Sequence, residues 1–118
     1  FKRQFELKKL FLDSNVIYQL KKNLFYSLKN LQDLYLNNNK LFSLNANTFS
    51  HLVNLKKLYL NNNPIHQIHM NAFNGLFDLK ILDLNNVKIK KIIKISQDDV
   101  LYIPEKIQAI FLNNTSIE

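Results

Sequence analysis

Leucine and asparagine recur along this chain in columns with a constant 24-residue step. Leu7, Leu31, Leu55 and Leu79 make one column, Leu10, Leu34, Leu58 and Leu82 a second, and Leu12, Leu36, Leu60 and Leu84 a third. Phenylalanine keeps the same step at Phe1, Phe25, Phe49 and Phe73, and asparagine at Asn15, Asn39 and Asn63. Chance does not hold this many columns in phase. A period of this length is the mark of a solenoid built from stacked coils.

Within one unit the order is L-x-x-L-x-L-x-x-N-x-L-x-x-L, a short spacer, then Phe-x-x-Leu. The second unit shows it as Leu31, Leu34, Leu36, Asn39, Leu41, Leu44, Phe49 and Leu52, and the third as Leu55, Leu58, Leu60, Asn63, Ile65, Ile68, Phe73 and Leu76. Alternation at period two around L-x-L predicts a short strand with leucines inward and the intervening residues outward. The asparagine falls where the strand must turn. Its amide donates and accepts at once, so it satisfies backbone groups that the turn would otherwise bury unpaired. The later apolar columns predict the opposite wall of the coil. No single coil covers its own apolar faces, so stability has to come from the neighbours.

The pattern changes after the third unit. Leu79, Leu82 and Leu84 begin a fourth, but Val87 stands where asparagine is expected, so that turn must be rebuilt locally. The strand pattern is next recognised at Ile107, Ile110 and Leu112, a step of 28 from Leu79. Lys88, Lys90, Lys91, Lys94, Asp98, Asp99 and Pro104 lie between, read as an irregular coil bearing a basic loop. Thr115 takes the asparagine position of the fifth unit. The expected organisation is one array: a partial coil at 1–6, repeats at 7–30, 31–54 and 55–78, an irregular repeat at 79–106 and a truncated one at 107–118, with no caps. An uncapped array of this kind is expected to be marginally stable or prone to associate.

On these residues the chain is identified as a member of the leucine-rich repeat family, and the resemblance runs over essentially its whole length. It implies an α/β solenoid: a horseshoe with a concave parallel sheet, one short strand per repeat, and irregular or short helical convex segments. Thr48-Phe49-Ser50-His51-Leu52 and Ala72-Phe73-Asn74-Gly75-Leu76 resemble the 24-residue class of animal extracellular proteins, found in Toll and Toll-like receptors, Slit-like guidance proteins and neuronal adhesion receptors. The Gly-x-Ile-Pro signature of plant receptor repeats is missing from every unit. The resemblance therefore implies a receptor or adhesion ectodomain that is extracellular or at the cell surface, its parent membrane-anchored or secreted, with Toll-like signalling first among the candidates. A cytoplasmic scaffold is the alternative, and the lack of cysteine suits it.

Composition modifies this only in places. The net charge of +7 suits an acidic partner or an anionic glycan, and equally a surface that uses lysine for solubility. No stretch approaches the ~18 apolar residues of a membrane span. Asn113 and Asn114 open overlapping Asn-x-Thr and Asn-x-Ser sequons, which matter only in a secreted protein.

The outward strand positions are the candidate ligand-binding face. One column reads Phe11, Tyr35, Tyr59, Asp83, Phe111; the one two residues earlier reads Lys9, Asp33, Lys57, Ile81, Ala109. Aromatics beside lysine and aspartate suit a protein ligand or co-receptor bound through Lys9, Phe11, Asp33, Tyr35, Lys57, Tyr59, Asp83 and Phe111. Aromatics also stabilise strands by stacking on one another. The asparagine pairs 37–38, 61–62, 85–86 and 113–114 could contact ligand hydroxyls or simply serve the turns. His66 and His69 lack the further ligands a zinc site needs. With no Ser/His/Asp set, activated cysteine or glycine-rich phosphate loop, neither catalysis nor a cofactor is expected, and nucleic acid is not expected as a partner.

Overall fold

In the computed structural model, residues 6–117 are described. Phe1 and nearly all of the partial coil 1–6 lie outside them. Five three-residue strands, β1 (Lys9–Phe11), β2 (Asp33–Tyr35), β4 (Lys57–Tyr59), β6 (Ile81–Asp83) and β9 (Ala109–Phe111), form one parallel sheet in that order. Leu10 pairs with Leu34, Leu34 with Leu58, Leu58 with Leu82 and Leu82 with Ile110. Equal sequence steps thus become straight columns across the sheet, and the longer step from Leu82 to Ile110 keeps the same column. Backbone pairing continues past the strands, with Leu36 N donating to Tyr59 O and Leu60 N to Asp83 O, each at 2.9 Å.

The inward leucines behave as the alternation requires. Leu34, Leu58 and Leu82 are fully buried, as are Leu36, Leu60 and the wall residues Leu41, Leu52, Leu55 and Ile68. Phe25, Phe49 and Phe73 fill the far side of the interior as a stack with centroids 6.1 and 6.4 Å apart. The Phe-x-x-Leu spacing has a local cause as well. Leu28 N donates to Phe25 O, Leu52 N to Phe49 O and Leu76 N to Phe73 O, so each such segment closes a tight turn. Among the described residues the convex side is made of turns, and no α-helix is present.

One convex position demands glycine. Gly75 has φ +87°, and a Cβ there would meet the Ser50 carbonyl oxygen of the previous coil at 2.6 Å. Both the backbone conformation and the close approach of two coils exclude a side chain.

A second parallel sheet forms the side wall: β3 (Ser43–Leu44), β5 (Gln67–His69) and β8 (Lys91–Ile93), while β7 (Lys88–Ile89) pairs with β10 (Ser116–Ile117). This corrects the expectation of a basic loop. Ile68 pairs with Ile92, at the same sequence interval as the earlier repeats, so the fourth coil keeps the regular step as far as Ile93. Lys88 and Lys91 are strand residues, with Lys90 between the strands and Lys94 just beyond β8. Ile89 is fully buried and Ile92 packs against the core, continuing the columns of Leu41–Ile65 and Leu44–Ile68. The four extra residues lie further on, between β8 and β9.

Candidate functional site

The sheet's outward face is positioned by its turns, and the turns by asparagine. Asn39 and Asn63 are 3% exposed. Asn39 Nδ2 donates to Leu12 O at 2.9 Å in the preceding coil and to Leu36 O at 3.0 Å in its own, while its Oδ1 accepts from Asn15 N and Ile17 N. Asn63 repeats the arrangement with Leu36 O, Leu60 O and Leu41 N. Each amide therefore fastens two coils. Asn15 is exposed, and among the described residues its amide donates to Leu12 O and Asp13 O of its own coil.

Val87 breaks this ladder, and the repair comes from the next coil. The Thr115 hydroxyl donates to Leu84 O, the carbonyl that an amide at position 87 would have taken. Val87 itself is fully buried and adds apolar area in exchange.

The other asparagines also have structural work. Ser14, Asn38, Asn62, Asn86 and Asn114 all have φ between 57° and 61°. Asparagine tolerates this left-handed conformation better than other residues with a Cβ. The side chains bridge coils too: Asn114 Nδ2 donates to Asn86 Oδ1 at 3.0 Å, and Asn86 Nδ2 to Asn62 Oδ1. Asn113 N donates to Asn85 Oδ1 at 2.7 Å. Turn geometry accounts for the asparagine row. The sequon residues Asn113 and Asn114 are exposed at its end.

Between these turns the outward columns come together as one surface. Phe11 stacks on Tyr35 with centroids 4.4 Å apart and planes 11° from parallel, and Tyr35 stacks on Tyr59 at 4.6 Å and 4°. Strands sit ~4.8 Å apart, so registered rings meet face to face with little adjustment. Phe11 keeps 62% of its surface exposed, and Tyr35 and Tyr59 are half-buried. Asp83 and Phe111 complete the column in register.

The neighbouring column is more asymmetric than its sequence suggests. Asp33 is only 7% exposed, held between Lys9 and Lys57 by the strand register, and lies 3.8 Å from Lys9 Nζ. That burial has no local signal, because it arises from flanking strands one repeat away on either side. The Tyr59 phenol is pushed above its ordinary value of 10, first by burial, then by Tyr35, Asp33 and Asp83, with a hydrogen bond to Tyr35 adding to the effect.

The lysines face a different direction. Lys88, Lys90, Lys91 and Lys94 are exposed on the side wall, away from the aromatic column. Tyr18, Phe42 and His66 are earlier members of the column that ends in Lys90; Phe42 and His66 stack at 6.1 Å. Sequence spacing alone did not reveal this second aromatic file. His69 has its own role, with Nδ1 accepting from Asn71 N at 3.0 Å.

Comparison with known proteins agrees with this architecture. A crystal structure of a TLR13–ssRNA13 complex superposes with a TM-score of 0.72 at 28% sequence identity, over 92% of this chain. The chain spans 19% of that Toll-like receptor chain. No curated protein matches the sequence. The leucine rich repeat family pattern matches at residues 5–65 and again at 53–117, and the chain belongs to the leucine-rich repeat family.

Proposed function

We propose that this chain is the protein-binding array of an extracellular receptor or adhesion protein, holding its ligand on the concave sheet. The observation that carries this is the ring file Phe11–Tyr35–Tyr59, stacked across three adjacent strands and partly exposed on the outward face. Large amphipathic side chains fixed by neighbours bind with little further loss of entropy, the property of interface anchors. Likeness to a Toll-like receptor chain supports the receptor reading, with Toll-like signalling first; a place at the cell surface is part of the proposal. The fold offers a rigid surface for recognition, and the reading assigns it no reaction.

The test is site-specific crosslinking in the parent protein. A photo-reactive phenylalanine at position 11 or 35, activated on living cells, is expected to capture one discrete protein. The same group at position 90 is expected to capture none. Equal capture at both places, or none at positions 11 and 35, overturns the proposal.

A second reading has its own observation, the side-wall file Tyr18, Phe42, His66 beside Lys88, Lys90 and Lys91. Lysines interleaved with exposed rings suit a polyanion, either a glycan or the single-stranded nucleic acid that the TLR13 complex contains. Binding of heparin or an RNA oligomer should fall steeply between low and physiological salt and fall again in the K90A/K91A double variant. Salt-independent binding excludes this reading.

A further inference from the structure

The outward column is aromatic at four of its five positions, and Asp83 is the exception. Aspartate is disfavoured in strands, and here it also interrupts a stack that contributes to the sheet. Tyr59, Asp83 and Phe111 are register partners on three adjacent strands. Two strand spacings of ~4.8 Å put the Tyr59 and Phe111 backbones roughly 10 Å apart, with the carboxylate between them. A flat group packed at about 3.5–4 Å from a ring on each side needs about 7–8 Å between the rings. The gap thus has room for one planar group above the carboxylate, with the rings leaning in by about 1 Å each, and its base is acidic. Phe111 is 44% exposed, so the slot is open from above.

The two aspartates of the face differ in what answers them. Asp33 has Lys9 at 3.8 Å. Asp83 has no ion-pair partner among the described residues; the adjoining column reads Lys57, Ile81 and Ala109 across these three strands, and Lys57 makes no ion pair with it. One oxygen of Asp83, Oδ1, accepts from Asn85 N at 3.0 Å, which holds the carboxylate in one orientation. The same bond offers a purely structural reason for an aspartate here, since it helps shape the turn that lacks a ladder asparagine. The experiment must separate the two.

We propose that Tyr59, Asp83 and Phe111 form a slot for the guanidinium of an arginine side chain presented by a protein partner. This deepens the concave-face reading and rests on it for the partner's identity as a protein. A guanidinium is planar and weakly hydrated, stacks on rings through cation–π attraction, and pairs with a carboxylate in its own plane. An ammonium has the charge without the plane, so lysine is the poorer occupant. The chain's net charge of +7 opposes a strongly basic partner. The slot therefore selects a single arginine on an otherwise neutral or acidic surface, not a basic tract.

The probe is N-acetyl-arginine amide, titrated into the chain and followed by NMR at the aromatic side chains. Saturable shifts are expected at Tyr59 and Phe111, with Phe11 at the far end of the stack unmoved, and N-acetyl-lysine amide binding several-fold more weakly. Asp83→Asn keeps the acceptor for Asn85 N and removes the charge, and it should weaken arginine binding at least about fivefold. Phe111→Leu, a second variant that preserves apolar bulk, should do the same. No saturable shift at Tyr59 and Phe111, or an Asp83→Asn chain that titrates like the parent sequence, overturns the slot. A partner captured at position 35 with the arginine titration silent sinks the slot alone. Arginine binding with no capture at positions 11 and 35 sinks the concave-face reading and leaves the slot standing.

Discussion

Tyr35 and Tyr59, one repeat apart in sequence, stack with their planes 4° from parallel, so that each ring covers a face of the other. Neither side chain is organised by its own strand. The parallel register brings them together, and the flat pair they form is stiffer than either would be alone.

Stacking of this kind contributes about 0.5–1.5 kcal/mol beyond area burial. Tyr35→Ala and Tyr59→Ala should each lower stability, and the double variant should lose less than the sum by about that amount. Chemical denaturation of the four proteins checks the cycle. Against a captured ligand, each single variant should weaken binding by more than about 1 kcal/mol, as hot spots do; unchanged affinity in both removes the rings from the interface.

Tyr59 also makes a prediction about pH. Its phenol is held above 10 in the folded chain, chiefly by burial, and no such burial exists in the unfolded chain. The unfolded state therefore loses this proton first as pH rises. The stability linked to it is fully present below pH 10 and is lost as pH climbs through the raised folded value. Thermal midpoints measured at increasing alkaline pH should fall less steeply in Tyr59→Phe than in the parent chain. Identical slopes would mean that other groups carry the effect.

Asn63 is a buried polar side chain near the middle of the array, bonded to its own coil and to the preceding one. Its Nδ2 reaches Leu36 O and Leu60 O and its Oδ1 accepts from Leu41 N. Asn63→Ala removes the partners of Leu60 O and Leu41 N, while Leu36 O keeps Asn39 Nδ2, at about 1–3 kcal/mol for each group left unpaired that water does not reach. A loss of about 2 kcal/mol or more is expected on chemical denaturation. A loss under half that amount would show that the turn re-forms its bonds by itself.

Thr115 carries the repair at the interrupted rung. Thr115→Val keeps the shape and removes the donor to Leu84 O, so it should cost on the order of 1 kcal/mol. In that background Val87→Asn should recover part of the loss, because an amide at position 87 reaches the same carbonyl. Additive behaviour in the double variant would show that the two positions do not share an acceptor.

Much of the molecule was legible in one dimension. The 24-residue step specified the strands, their register and the buried columns, because equal steps stack like residues on like and burial follows the stacking. The asparagine turns were legible for a similar reason: few side chains both tolerate a left-handed backbone and bond to it on two sides. The outward aromatic column could be written down from the alternation alone. The lysines were the main miss, since the long interval from Leu79 to Ile107 concealed the regular step of Ile89 and Ile92.

What only the tertiary structure decided are relations between coils. The burial of Asp33, the hydroxyl of Thr115 standing in for an amide at position 87, the glycine under Ser50 and the slot beside Asp83 each join residues from different turns of the solenoid. Local propensity has nothing to say about them. Their distances are set by how closely one coil packs on the next, and that spacing is a property of the stacked array rather than of any single repeat.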